Sequence, residues 1–174
     1  FKDNLMRISL ANTSHLPSML QIVSDAQNYL ASLGIDQWQN GYPNEEVLLN
    51  DITNNESYCV SDEKGRIMGI TMFTHRPEPT YHSIDGNWLT SDDAVYGVIH
   101  RLAVSNHFRS HGVAKFIFEQ CEEQLKANNI PSMRIDTHEE NKGMQKLISQ
   151  LGYKYCGIIV LESGDKRLAF EKIF

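Results

Sequence analysis

The chain predicts a mixed α/β domain, a central sheet of about six to seven strands flanked by about four helices. Three observations carry that prediction. Apolar spacing switches between period 2 and period 3.6 several times along the chain. The 174 residues suit one domain, residues 1–174, with one substantial core. A hydrophobic fraction of 41% against 22% charged residues is the balance of an ordinary globular protein.

Residues 5–10 alternate and predict a strand, after which Asn12, Thr13 and Ser14 offer capping side chains. From Leu16 the spacing turns helical through Met19, Leu20, Val23, Ala26, Leu30 and Leu33, and Gly34 is placed to end that helix in a left-handed conformation. A loop over 35–43 leads to a second helix over 44–54, with Glu45 and Glu46 at its positive end. Residues 58–61 and 66–75 flank the turn 62–65 as a β-hairpin, and Pro77 and Pro79 make the next stretch a loop. Trp88 and Leu89 begin another extended piece. Residues 95–104 are the strongest strand, apolar on both faces and therefore central. A helix follows over 112–127, with Ala114, Ile117, Phe118, Cys121 and Leu125 inward. Then come a strand over 133–137 and a helix over 141–151, with Met144, Leu147, Ile148 and Leu151 inward and Gly152 closing it. Strands over 155–161 and 167–173, joined by the turn 162–165, complete the chain.

Composition excludes several functions. No apolar run approaches the ~20 residues that cross a bilayer, and FKDNLMRISL lacks the basic-then-apolar layout of a secretory signal. Cys59, Cys121 and Cys156 are odd in number without CxxC spacing, so they read as small hydrophobes in a reducing compartment. The expectation is a cytoplasmic protein. A formal charge of −6 argues against nucleic acid as a partner.

The informative stretch is YGVIHRLAVSNHFRSHGVAKFIF, residues 96–118. A buried strand ends at Val104, a polar loop turns, and a helix begins near Gly112. Glycine lets backbone approach a ligand closely, and Ala114 keeps the helix start uncluttered. The N–H groups of His111, Gly112, Val113 and Ala114 are expected to converge on an anion site, where helix dipole and unpaired donors act together. Arg109 adds a permanent charge suited to phosphate oxygens. The plainer alternative is a strand-to-helix turn with a capping glycine. GxxxxGK[ST] is absent, as is GxGxxG after a strand, which excludes two other phosphate loops.

Arg109-Ser110-His111-Gly112-Val113-Ala114 resembles the coenzyme A signature of the GNAT acetyltransferases: Arg or Gln, two residues, Gly, one residue, Gly or Ala. Leu102-Ala103-Val104 looks like that superfamily's strand pairing with the pantetheine arm, and Asn141 stands where many members carry an asparagine. Leu151-Gly152-Tyr153 is similar to the family's Gly-Phe or Gly-Tyr, and the order of elements covers nearly the whole chain. The stretch 36–43, DQWQNGYP, resembles a bacterial subgroup of poorly defined substrate. The resemblance implies the GNAT fold, acetyl-CoA as co-substrate, and an N-acetyltransferase. A departure is Ile148, which occupies the place of a tyrosine acid in several members.

Acetyl transfer to an amine by direct attack, through a tetrahedral intermediate, needs a neutral amine and a stabilised oxyanion. An ammonium of pKa ~10 is only ~0.1% neutral at pH 7, so a base helps. A fixed N–H donor at an oxyanion is worth about 3 kcal/mol, and the strand end 102–104 is the place to seek one. A thiol near pKa ~8.5 leaves tolerably without an acid. Three residues compete as base. His100 precedes Leu102 by two and, in a regular strand, shares its face. It matches a histidine of arylalkylamine acetyltransferases. Asp136 stands on the next strand, where peptide N-terminal acetyltransferases of this fold place a glutamate. His138 shares the face of Asp136. The order favoured is His100, then Asp136. Each has a plain structural alternative: a satisfied core histidine, a capping or salt-bridging carboxylate, and a loop residue.

Trp38 and Tyr42 lie between the first two helices, which in the fold the resemblance implies border the acceptor side, and would wall an apolar or cationic acceptor group, or, for Trp38, simply pack the loop onto the sheet. His107 and His111 mimic a metal spacing, but the glutamate of HExxH and a third ligand are missing, so no metal is expected. The chain therefore reads as an acetyl-CoA-dependent N-acetyltransferase of a small-molecule or peptide amine, without membrane partner and compatible with a homodimer. A non-catalytic coenzyme A-binding module of the same fold is the alternative, and a hydroxyl-acylating transferase the second.

Overall fold

A computed structural model describes residues 5–174. Residues 1–4, part of the opening stretch and of the domain 1–174, lie outside the described residues. The strands are β1 (Arg7–Leu10), β2 (Ser57–Ser61), β3 (Ile67–Thr74), β4 (Asp85–Gly86), β5 (Gly97–Val104), β6 (Ser132–Thr137), β7 (Lys154–Val160) and β8 (Lys166–Ile173). The helices are α1 (Leu16–Ser32), α2 (Glu45–Thr53), α3 (Val113–Ala127) and α4 (Lys142–Gln150). The strands form one mixed sheet in the order β1-β2-β3-β5-β6-β8-β7-β4. The eighth strand beyond expectation is β4, two residues long; Trp88 and Leu89, expected to be extended, follow it without joining the sheet.

Backbone contacts cluster into two compact units, one reaching to Phe73 and including His100–Gln120, the other formed by Thr74–Ile99 and Cys121–Phe174. In the first, Asn12 caps a turn of 3-10 helix that feeds α1, and Asn44 Oδ1 accepts Val47 N–H at 3.0 Å to start α2. Met19, Ile22 and Val23 of α1 pack with Leu48 of α2 and with Cys59, Ile70 and Ala103 of the strands. Leu33, expected inward, is 55% exposed because α1 stops at Ser32 and Gly34 reverses the chain at φ +71°. Gly69 matters for closeness rather than for φ: a Cβ there would stand 2.7 Å from Val113 Cγ1 and 3.2 Å from the Ala103 carbonyl. Its absence lets the start of α3 settle onto β3.

In the second unit β5 runs parallel to β6 at Gly97↔Met133 and Val98↔Arg134. β6 pairs antiparallel with β8 from Ser132↔Ile173 to Thr137↔Leu168. Tyr81, Tyr96, Val98, Ile159 and Ala169 form its buried cluster, with Ile84, Trp88 and Leu161 packed against it. Glu171 is wholly buried on β8 yet well satisfied. It accepts from Leu89 N–H at 2.7 Å, Thr90 Oγ1 at 2.6 Å and Ser132 Oγ at 2.6 Å, and pairs with Arg134 at 3.2 Å. Burial opposes its charge, but the hydroxyl bonds and Arg134 outweigh that and hold its carboxyl below the usual range. Glu171 thereby ties the loop after β4 to the sheet.

Candidate functional site

The loop after β5 is anchored to β3 and then folded by local bonds. Ser105 N–H donates to the Met68 carbonyl at 2.8 Å, and Ser105 Oγ accepts His107 N–H at 3.3 Å to cap the 3-10 turn Asn106–Phe108. Ser110 and Gly112 are both left-handed, at φ 65° and 76°. Alternation of that kind turns successive N–H groups toward one concavity, the geometry of an anion nest. A Cβ on Gly112 would meet nothing within 4 Å, so the space before it is open to a ligand. The Gly112 carbonyl accepts Phe116 N–H at 3.0 Å and opens α3, whose first donors have no acceptor within the helix.

One expected member of that donor group is otherwise engaged. His111 N–H donates to the Phe108 carbonyl at 3.3 Å, because the turn closes on itself there. The donors left of the expected group are those of Gly112, Val113 and Ala114. Arg109 is held beside them: its Nε donates to Asn106 Oδ1 at 2.8 Å, and its guanidinium lies 4.1 Å from the Tyr29 ring centroid. Open cradle, helix start and fixed cation together fit the diphosphate of a coenzyme.

β5 is not a regular strand where regularity was assumed. Arg101 has φ 53°, a left-handed residue between His100 and Leu102, so alternation of faces fails there. The distortion has an evident anchor. Arg101 Nε and Nη2 each donate to the Asp51 carboxylate at 2.6 Å, and Nη1 donates to Tyr42 Oη at 2.7 Å. Burial works against the Arg101 charge, but its hydrogen bond to Asp51, with further support from Tyr42 and the Asp51 charge, keeps its pKa above the ordinary arginine value. His100 is half-buried, and its carbonyl accepts Thr71 Oγ1 at 3.3 Å.

Tyr42 is thus tied to β5, and its carbonyl also accepts Gln27 Nε2 at 2.9 Å. Trp38, itself left-handed at φ 63°, packs against the α1–α2 core. The whole loop is held from three sides within the first unit.

In the second unit Asp136 Oδ2 accepts the phenolic proton of Tyr81 at 2.6 Å. Burial first, and then the Asp136 charge and hydrogen bond, push the Tyr81 pKa well above 10, so the phenol is a permanent donor. His138 is turned into its own loop: Nδ1 accepts Glu140 N–H at 3.0 Å, which places the proton of the neutral ring on Nε2. Asn141 is the N-cap of α4, its Oδ1 accepting Met144 N–H at 3.1 Å. Ile148 is fully buried, and its alkyl side chain carries no acidic proton. No group of His, Cys, Asp and Glu suited to a metal occurs among the described residues. No described helix is long and apolar enough to cross a membrane.

Sequence reasoning missed Tyr81, Arg101 and Asp51. A buried tyrosine in a Pro-rich loop has no motif, and an Arg–Asp pair 50 residues apart leaves no local pattern.

The model of the acetyltransferase (GNAT) family matches residues 23–153. The chain belongs to that family and is an acetyl-CoA-dependent acetyltransferase. It is 35% identical to a GNAT-family acetyltransferase from Streptococcus agalactiae, covering 97% of this chain and 95% of that one with a TM-score of 0.85. A putative acetyltransferase from Staphylococcus aureus is 23% identical over 95% of this chain and 97% of its own, TM-score 0.71. PaiA N-acetyltransferase from Thermoplasma acidophilum, solved with coenzyme A, is 13% identical over 98% and 99%, TM-score 0.72, and shares the fold. A search of curated proteins gave no match.

Proposed function

We propose that the chain transfers the acetyl group of acetyl-CoA to a primary amine, by direct attack of the neutral amine. The observation that carries this is the pair of left-handed residues, Ser110 and Gly112, before α3, with an open space in front of Gly112 and Arg109 held at its side. The donors of Gly112, Val113 and Ala114 and the Arg109 charge hold the diphosphate, while backbone groups of Leu102, Ala103 and Val104 receive the pantetheine arm. The coenzyme supplies an activated acyl group on a thiol that leaves without a dedicated acid, which suits the buried Ile148. Asn141, engaged as a cap, contributes by fixing the start of α4.

His100 takes the proton from the amine. Asp136 has a different part: Tyr81 occupies one of the carboxylate's acceptor positions, and the others draw the substrate ammonium before it is deprotonated. Tyr42, held by Arg101, borders the acceptor. The chain works in the cytoplasm.

An amine panel with acetyl-CoA, read by released thiol and by mass of the acetylated product, tests the reading. Expected is amine-dependent thiol release. Coenzyme A binding without turnover on any amine identifies a binding module instead, and turnover on alcohols alone a hydroxyl-acylating enzyme.

A further inference from the structure

Within the second unit lies a pocket of about 200 Å³ whose floor is Tyr81, Tyr96 and Arg134, each buried. Its exposed rim carries His75, His82, Asp92 and Asp93. Neither the family match nor the signature at 109–114 assigns anything to it. We propose that it receives the acceptor substrate, and that the ligand it selects is a monovalent ammonium bearing one apolar portion of about ring size. The proposal rests on the amine-acetylating reading above and names its substrate class.

The sign of the ligand's charge follows from how Arg134 is used. Its guanidinium is sandwiched between the Trp88 and Tyr96 rings, 4.3 and 4.0 Å from their centroids. It approaches Glu171 at 3.2 Å as an ion pair and donates from Nη2 to Thr90 Oγ1 at 2.9 Å. The only cationic side chain of fixed charge in the pocket wall is therefore balanced in place and offers an anion little. The rim is different. Asp92 and Asp93 are exposed, with only a hydroxyl, Ser91 Oγ at 2.8 Å, donating to Asp93. An ammonium entering past them meets two carboxylates, which attract a cation, and its apolar portion then meets the Tyr81 ring.

Size sets the body. A dry cavity of about 150 Å³ accommodates benzene, so about 200 Å³ holds one ring with a short arm. The floor suits it: Tyr81 and Tyr96 lie 6.2 Å apart in a tilted arrangement, with Trp88 5.0 Å behind Tyr81. Tyr81 also links the pocket to chemistry, since its hydroxyl is the donor to Asp136. A ligand resting on Tyr81 lies one hydrogen bond from the carboxylate assigned to the ammonium.

The test uses the full chain and three probes: benzylamine, benzoate as its anionic twin, and methylamine, which lacks the ring. Binding is measured by calorimetry and by Trp fluorescence, with coenzyme A titrated into the same samples. Expected is saturable benzylamine binding at least tenfold tighter than that of benzoate or methylamine. Ala94→Trp, which fills the pocket, should weaken benzylamine at least tenfold, and Asp92→Asn with Asp93→Asn at least threefold. Thermal unfolding establishes that the Trp variant is folded, and the exposed double variant serves if it is not. Benzoate binding as tight as benzylamine, no saturable benzylamine binding, or full affinity in the folded variants overturns the proposal. If coenzyme A still binds in those cases, the pocket assignment fails alone; if coenzyme A does not bind at all, the amine-acetylating reading fails first.

Discussion

Tyr81 donates its hydroxyl proton to Asp136 across 55 residues of sequence, at 2.6 Å, while its ring floors the pocket beside Tyr96. The pair lies within one unit. Tyr81→Phe keeps the ring and removes only the hydroxyl. A hydrogen bond to a charged group contributes about 1.5–3 kcal/mol, so urea unfolding should show a loss in that range. The acceptor's KM should rise and coenzyme A affinity hold. Unchanged kinetics for the amine would detach the pair from the reaction.

Gly112 separates strain from ligand contact. At φ 76°, Gly112→Ala carries about 1–2 kcal/mol of backbone strain but meets no protein atom. Gly112→Asp adds a negative charge to the cradle. Calorimetry should show at least a tenfold further loss of coenzyme A affinity for Asp over Ala. Equal affinities in the two variants would place the diphosphate elsewhere.

The Arg101–Asp51 pair is nearly buried, Asp51 being 6% exposed. Arg101→Met leaves that carboxylate uncompensated and should destabilise the chain by about 3–5 kcal/mol. Adding Asp51→Leu removes the orphan charge, so the double variant should recover most of the loss in urea unfolding. Because Tyr42 loses its donor in both, the amine's KM should stay raised even where stability returns. Recovery of KM with stability would show that Tyr42 needs no anchor.

These relationships mark where local pattern stops being informative. The helical face of α1 is legible because Leu16, Met19, Val23 and Leu30 recur at the period of the helix, and all four are buried. β5 is legible as central because Val98 and Ile99 point to opposite faces and both need cover. The nest before α3 is legible through Gly112. By contrast β4 is an Asp-Gly pair whose only signature is close backbone approach to Gly157, a partner supplied by tertiary structure. The left-handed Arg101 has no cue in its residue type, since the conformation is enforced by Asp51 and Tyr42 from distant segments. The closure of His111 N–H onto Phe108 depends on the exact course of a turn that spacing does not determine.

Buried thiols weaken the fold at alkaline pH. Burial pushes Cys59 and Cys121 from 9.0 up to about 12, with Glu122 adding to the effect at Cys121. Between those values the unfolded chain has released a proton that the folded chain retains. Stability is therefore complete below pH 9 and falls as pH rises toward 12, by about 1.4 kcal/mol per pH unit for each thiol. Cys121→Ala should reduce that slope by one thiol's share. Urea unfolding in reductant at pH 9 and pH 10.5 measures it, and an unaltered slope would refute the assignment.

The base is decided by comparing His100, Asp136 and His138 with one amine at saturating acetyl-CoA. If His100 takes the proton, kcat/KM rises with pH along an acidic limb that belongs to the enzyme and vanishes in His100→Ala. The rate should fall by about 10²–10⁴, the range for a lost general base. Asp136→Asn keeps the shape and the bond from Tyr81 but loses the charge that draws the ammonium. Its effect should appear as a raised KM for the amine, with the acidic limb intact. The same change tested with a neutral hydroxylamine acceptor should matter less, since no cation is then attracted. His138→Ala should change least, because Nδ1 already accepts Glu140 N–H and the ring holds a turn. The His100 variant is the decisive one: an acidic limb that survives it, and disappears in Asp136→Asn, moves the proton to the carboxylate and leaves Tyr81 as the residue that positions the base.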